Sequence, residues 1–74
     1  MLVKFEIYND GDHWCARGIG VDIFTQGITL DEVMENIKEA VEVHFEETLN
    51  SGQGIQILSI SESEVPSFVR IAGS

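Results

Sequence analysis

A chain of 74 residues holds one small domain and no more, and a hydrophobic content of 43% is that of a globular protein rather than a disordered one. Thirteen acids against four Lys and Arg give a formal net charge of −9, which argues against direct binding to nucleic acid or an anionic membrane and suits a basic protein partner. The lone cysteine, Cys15, can form neither an internal disulfide nor a zinc cluster and fits a reducing cytoplasm, while the N-terminus lacks a signal-peptide pattern and no apolar run reaches membrane-spanning length.

Leu2 to Tyr8 alternates, with Val3, Phe5 and Ile7 on one side and Leu2, Lys4, Glu6 and Tyr8 on the other. This is the first strand, and Val3, Phe5 and Ile7 are its core-facing set. Asn9-Asp10-Gly11-Asp12 is a turn, because Asn, Asp and Gly tolerate the backbone a hairpin requires. His13 to Arg17 is the second strand, with Trp14 and Ala16 opposite His13, Cys15 and Arg17. Gly18-Ile19-Gly20 breaks the pattern, and Val21 to Thr25 is the third strand.

One long helix follows, over residues 30–49. Leu30, Val33, Met34, Ile37, Val41 and Phe45 recur at helical spacing and make one apolar stripe. Thr29 and Glu32 form a capping box at its start, and Asp31 and Glu32 suit the positive end of the helix dipole. Asp31, Glu35, Glu39, Glu42 and Glu46 fall on roughly the opposite side. Asn50-Ser51-Gly52-Gln53-Gly54 stops the helix, and Ile55 to Ser61 is a fourth strand. Pro66 bars a central-strand continuation, so residues 62–74 are a tail or a short edge strand outside a core of about residues 1–61.

These elements have few ways to close. The first three strands form an antiparallel meander. The helix is a right-handed crossover that brings the fourth strand parallel to the first, in the order 3-2-1-4. The expected fold is therefore a single α+β domain, β-β-β-α-β, with the helix on one face of the sheet. Val3, Phe5, Ile7, Trp14, Ile37, Val41 and Phe45 should be buried. The other face carries Leu2, Tyr8, Cys15, Phe24, Leu58 and Ile60, too much apolar surface to leave wet on so small a domain. A homodimer or higher homo-oligomer is expected, with Leu2, Tyr8, Phe24, Leu58 and Ile60 as its interface.

Few residues carry chemistry. Gly18-Ile19-Gly20 opens like a dinucleotide fingerprint, but Ile23 replaces the third glycine and a strand follows where a helix is required, so it is a turn. His13 and His44 lack the spacing of a closed metal site, and His44 is expected to pack at the edge of the helix stripe. Cys15 reads as a packed thiol. No metal, cofactor or catalytic residue is assigned. Spaced carboxylates on one solvated helix face bind cations weakly, but a row of one sign attracts a basic protein without any convergence.

Asp10-Gly11, Trp14, Thr25-Gln26-Gly27, Thr29-Leu30-Asp31-Glu32 and Glu35-Asn36-Ile37-Lys38-Glu39-Ala40 together resemble the HicB-like antitoxin domain family over about residues 1–48. The Thr25-to-Glu32 turn and helix start are the most specific part. Gly18-Ile19-Gly20-Val21-Asp22 stands where the family often has a Pro-x-Leu-Pro-Gly type entry to the third strand. The resemblance implies a stand-alone, partly degraded RNase H-like fold. It implies a partner as well: a HicA-like toxin, a small basic ribonuclease with a double-stranded-RNA-binding fold and a catalytic histidine. Many family members add a C-terminal DNA-binding domain. This chain leaves no room for one, so repression of its own promoter is not expected.

The function expected is that of an antitoxin-like, non-enzymatic module. It would bind and neutralise a HicA-type mRNA-cleaving toxin by occlusion, with Asp31, Glu35, Glu39, Glu42 and Glu46 as contacts. Two alternatives stand beside it. One is a degenerate RNase H-like nuclease, with Glu6 and Glu35 as metal-binding carboxylates. The other is an oligomeric module that senses a small ligand.

Overall fold

The computed structural model describes residues 1–68. Its elements run β1 (Leu2–Asn9), β2 (Trp14–Ile19), β3 (Phe24–Gly27), α1 (Leu30–His44), α2 (Glu46–Asn50) and β4 (Gln56–Ser61). The four strands form one sheet in the order β3-β2-β1-β4. β1 is antiparallel to β2 and parallel to β4, and β2 is antiparallel to β3. This is the expected α+β topology. The final six residues, 69–74, lie outside the described part, and with them most of the suggested edge strand over residues 67–72; residues 62–68 are exposed and have no regular secondary structure.

The first turn is held by side chains. Asn9 Oδ1 accepts the Gly11 N–H at 2.8 Å, and Asp10 Oδ1 accepts those of Asp12 and His13 at 2.9 and 2.7 Å. These bonds, the one from His13 first, hold the Asp10 carboxyl below the usual carboxylate range. Such Asx-type bonds replace the backbone pairing that a turn gives up.

The core is the helix-facing side of the sheet closed by one helix stripe. Val3, Phe5, Ile7, Ala16 and Ile23 meet Val33, Ile37 and Val41, and all are buried. At about 25 cal/mol per Å² of apolar surface, burial of this cluster is the main stabilising term for so small a chain. Thr29 Oγ1 accepts the Glu32 N–H at 3.1 Å and so fixes the start of α1. The helix lies over β3 and β2 rather than over β4.

Five local expectations are corrected. Gly18 and Ile19 still belong to β2, paired with Phe5 and Lys4. The third strand begins at Phe24 rather than Val21, because Ile23 N–H bonds back to the Val21 carbonyl at 3.0 Å and closes a three-residue turn first. The single helix of residues 30–49 is two, since Phe45 (φ −112°, ψ 31°) leaves helical geometry between α1 and α2. Trp14 and Phe45 are half-buried rather than buried, one at the end of the sheet and the other at that break. His44 is exposed, its ring set edge-on to Phe45 at 4.7 Å, rather than packed at the stripe's edge.

Candidate functional site

The acidic residues are sorted by helix geometry. Leu30, Val33, Ile37 and Val41 set the phase of α1, so Asp31, Glu35, Glu39 and Glu42 project from its outer side, and all four are exposed. Glu46 is exposed too, but it opens α2 beyond the Phe45 break and is not strictly part of the same row. Among the described residues the nearest cation is Lys38, whose Nζ lies 3.2 Å from Glu35 Oε1 in a solvent-exposed pair. Exposed pairs of this kind neutralise little. The outer face of α1 therefore carries a field of one sign.

Beside that face lies an open groove of about 500 Å³ between α1 and β3. Asp22, Glu39, Asn36 and His44 give it polar walls, and Ile23, Ala40 and Val43 give it apolar ones. Asn36 Nδ2 donates to the Gln26 carbonyl at 2.8 Å and ties the helix to the strand along the groove. Val43 is 80% exposed, so this apolar group is open to a partner. Val43 was not singled out from the sequence. Its signal was available, since on a helical wheel it falls beside Glu39, away from the core stripe.

The second surface is the sheet face turned away from α1. The register places Leu2, Tyr8, Phe24, Leu58 and Ile60 on it together, as the alternation predicted. Leu2, Phe24, Leu58 and Ile60 are exposed, and Tyr8 is half-buried. Ile19, also exposed, joins them through its pairing with Lys4. Across the middle runs a charged pair, Arg17 Nη2 to Glu6 Oε2 at 2.8 Å, with the guanidinium over the Tyr8 ring.

Cys15 lies on this face but is only 2% exposed. Its Sγ lies 3.6 Å from Asp10 Oδ2. Burial, and then the nearby Asp10 charge, push the thiol above its ordinary value, so it is a packed group and not an activated nucleophile.

The pairing of Glu6 with Glu35 as metal carboxylates does not form. Glu6 sits on the sheet face opposite the helix, bonded to Arg17, while Glu35 points outward from α1. Among the described residues no three His, Cys, Asp or Glu gather into a metal-holding group. Within the same residues no helix is long and apolar enough to cross a membrane.

Fold and surfaces define a small α+β module that offers one acidic and one apolar face. Over 45 residues it is 47% identical to a UPF0150 protein of Archaeoglobus fulgidus, a match spanning 61% of this chain and 68% of that protein. The chain belongs to the UPF0150 family. No family model and no solved structure matches it.

Proposed function

We propose that this chain is an antitoxin-like binding module that neutralises a small basic HicA-type mRNA-cleaving toxin by covering it. The observation that carries the reading is the outer face of α1, where Asp31, Glu35, Glu39 and Glu42 stand exposed in succession and Glu46 follows. A ribonuclease must attract phosphate, so its working surface is basic. A face of the opposite sign steers that surface in and competes with RNA for it. Val43, beside Glu39 in the groove, supplies apolar contact where the charges supply approach. The UPF0150 family is the one to which HicB-like antitoxin domains belong, which supports the same identity for the partner. In this reading the chain works by occlusion in the cytoplasm and performs no chemistry itself.

The test reverses Glu35, Glu39, Glu42 and Glu46 to Lys. None of the four is in the core, so circular dichroism should report an unchanged fold. Association with a cognate toxin should slow by at least tenfold at low salt, and by less at high salt, where charges are screened. Rescue of growth in cells expressing the toxin should weaken in step. A folded quadruple variant that binds and rescues like the wild type would remove the acidic face from the mechanism.

A further inference from the structure

β4 is an edge strand, and one row of its backbone groups points out of the sheet. Gln56 N–H donates to the Met1 carbonyl at 2.8 Å, so the N–H and C=O of Gln56, Leu58 and Ile60 face β1. Those of Ile57, Ser59 and Ser61 face away from it, and among the described residues no strand lies beyond. The sequence here is Gln56-Ile57-Leu58-Ser59-Ile60-Ser61, without charge, proline or glycine. Proteins normally blunt such an edge with Lys, Pro or a bulge. The other edge is partly blunted: at β3 the Gln26 carbonyl is held by Asn36. In addition, the Ser59 hydroxyl is buried and has no hydrogen-bond partner among the described residues. An orphaned buried hydroxyl is costly to keep.

We propose that β4 pairs antiparallel with β4 of a second copy, about a two-fold axis through Ser59, to make one continuous eight-stranded sheet. Ser59 then faces its own mate, and each hydroxyl gains the other as partner. Ile57 lies opposite Ser61 of the second copy and exchanges backbone bonds with it, as the two Ser59 residues do. Leu58 lies opposite Ile60 of the second copy, on the apolar face, so the exposed aliphatic groups cover one another. A register centred on Leu58 does worse. It sets Ser59 against Ile57 and Ile60 against Gln56, and leaves the hydroxyl without a partner.

Charge selects the same place. Two chains of net charge −9 repel, and β4 is an uncharged strand on the far side of the sheet from β3, over which α1 carries the acidic row. Because α1 covers β3 and β2, it does not overhang the β4 edge. The two-fold gives the Ser59 hydroxyl its own counterpart as partner, so the occupant is another copy of this chain, and the pairing leaves the acidic face free.

Sedimentation at micromolar concentration should give twice the mass of one chain for the wild type. A monomer there overturns the proposal. Ser59→Pro deletes an outward N–H and no bond to β1. It should give the one-chain mass with an unchanged far-ultraviolet circular dichroism spectrum, and a folded Ser59→Pro dimer overturns the proposal. Should that variant fail to fold, the register is read by oxidation. Leu58 and the second copy's Ile60 form a non-hydrogen-bonded pair, about 4.5 Å apart at Cα, close enough for a disulfide. An equal mixture of Leu58→Cys and Ile60→Cys chains should yield a covalent dimer at least tenfold faster than either alone. The wild type, with buried Cys15, reports the background. Equal rates, or fastest linking by Leu58→Cys alone, overturn the register.

Discussion

At the scale of single residues, Gly27 shows how tightly β3 meets the start of α1. A Cβ added there would lie 2.7 Å from the Val33 amide nitrogen and 3.1 Å from Glu32 atoms, all on the helix's first turn. Gly27→Ala must push strand and helix apart, and overpacking of this kind costs about 1–3 kcal/mol. Urea unfolding should show that loss as a lower midpoint with an unchanged slope; an unaltered midpoint would mean the strand can move freely. Asp10 gives a pH-dependent counterpart. Its carboxyl titrates below its unfolded value because the His13 and Asp12 N–H groups bond the charged form. A depressed acid contributes stability above the unfolded pKa and loses it as pH falls through the folded one. Asp10→Ala should therefore melt lower than the wild type at neutral pH, and the gap should close as pH falls below the carboxylate range. A gap that is the same at acidic pH would show that the charge plays no part in the turn.

At the scale of elements, what was legible in the sequence was what periodicity records. A two-residue alternation put Val3, Phe5 and Ile7 under the helix and Leu2 and Tyr8 on the other face, and the register agrees. The order β3-β2-β1-β4 followed from chain connectivity, because a right-handed crossover from a three-strand meander leaves few positions for the last strand. Boundaries were less legible, since they depend on single bonds. The Ile23-to-Val21 bond delays β3, and no residue type in Val21-Asp22-Ile23 announces it. The break at Phe45 has no Pro or Gly to mark it either. The acidic row of the candidate site was legible from helical spacing, but the groove beside it was not, because it joins Val43 and His44 to Asp22 and Phe24 from a distant part of the chain. The cap was legible and is testable. Thr29→Ala removes the acceptor of the Glu32 N–H and should cost about 1 kcal/mol. Ile37→Ala empties the middle of the stripe, at 1% exposure, and should cost about 2–5 kcal/mol. If thermal melts ranked Thr29→Ala as the worse of the two, local capping rather than burial would be what holds α1 to the sheet.

At the scale of the whole molecule, charge sets stability and function against each other. Thirteen acids face four Lys and Arg, and the described ion pairs are Arg17–Glu6 and Lys38–Glu35. Along α1, Asp31 with Glu35 and Glu35 with Glu39 are four apart, and Glu39 with Glu42 three apart, so like charges are neighbours on the helix surface. Each such pair destabilises a helix by about 0.2–0.5 kcal/mol, or about 1 kcal/mol for the three. A surface that only needed to be well hydrated would gain by mixing signs. Glu39→Gln with Glu42→Gln removes two of the repulsive pairs and leaves Lys38–Glu35 intact. That double variant should melt above the wild type at low salt, and the difference should shrink toward physiological ionic strength, where the screening length is about 8 Å. It should also associate more slowly with a basic toxin, since the same charges provide the steering. Higher stability together with slower capture is the pattern expected of a surface kept for binding. Were the variant more stable and equally fast, the row would be a solvated face, and a toxin would have to be held by the groove's Val43 or by the apolar side of the sheet.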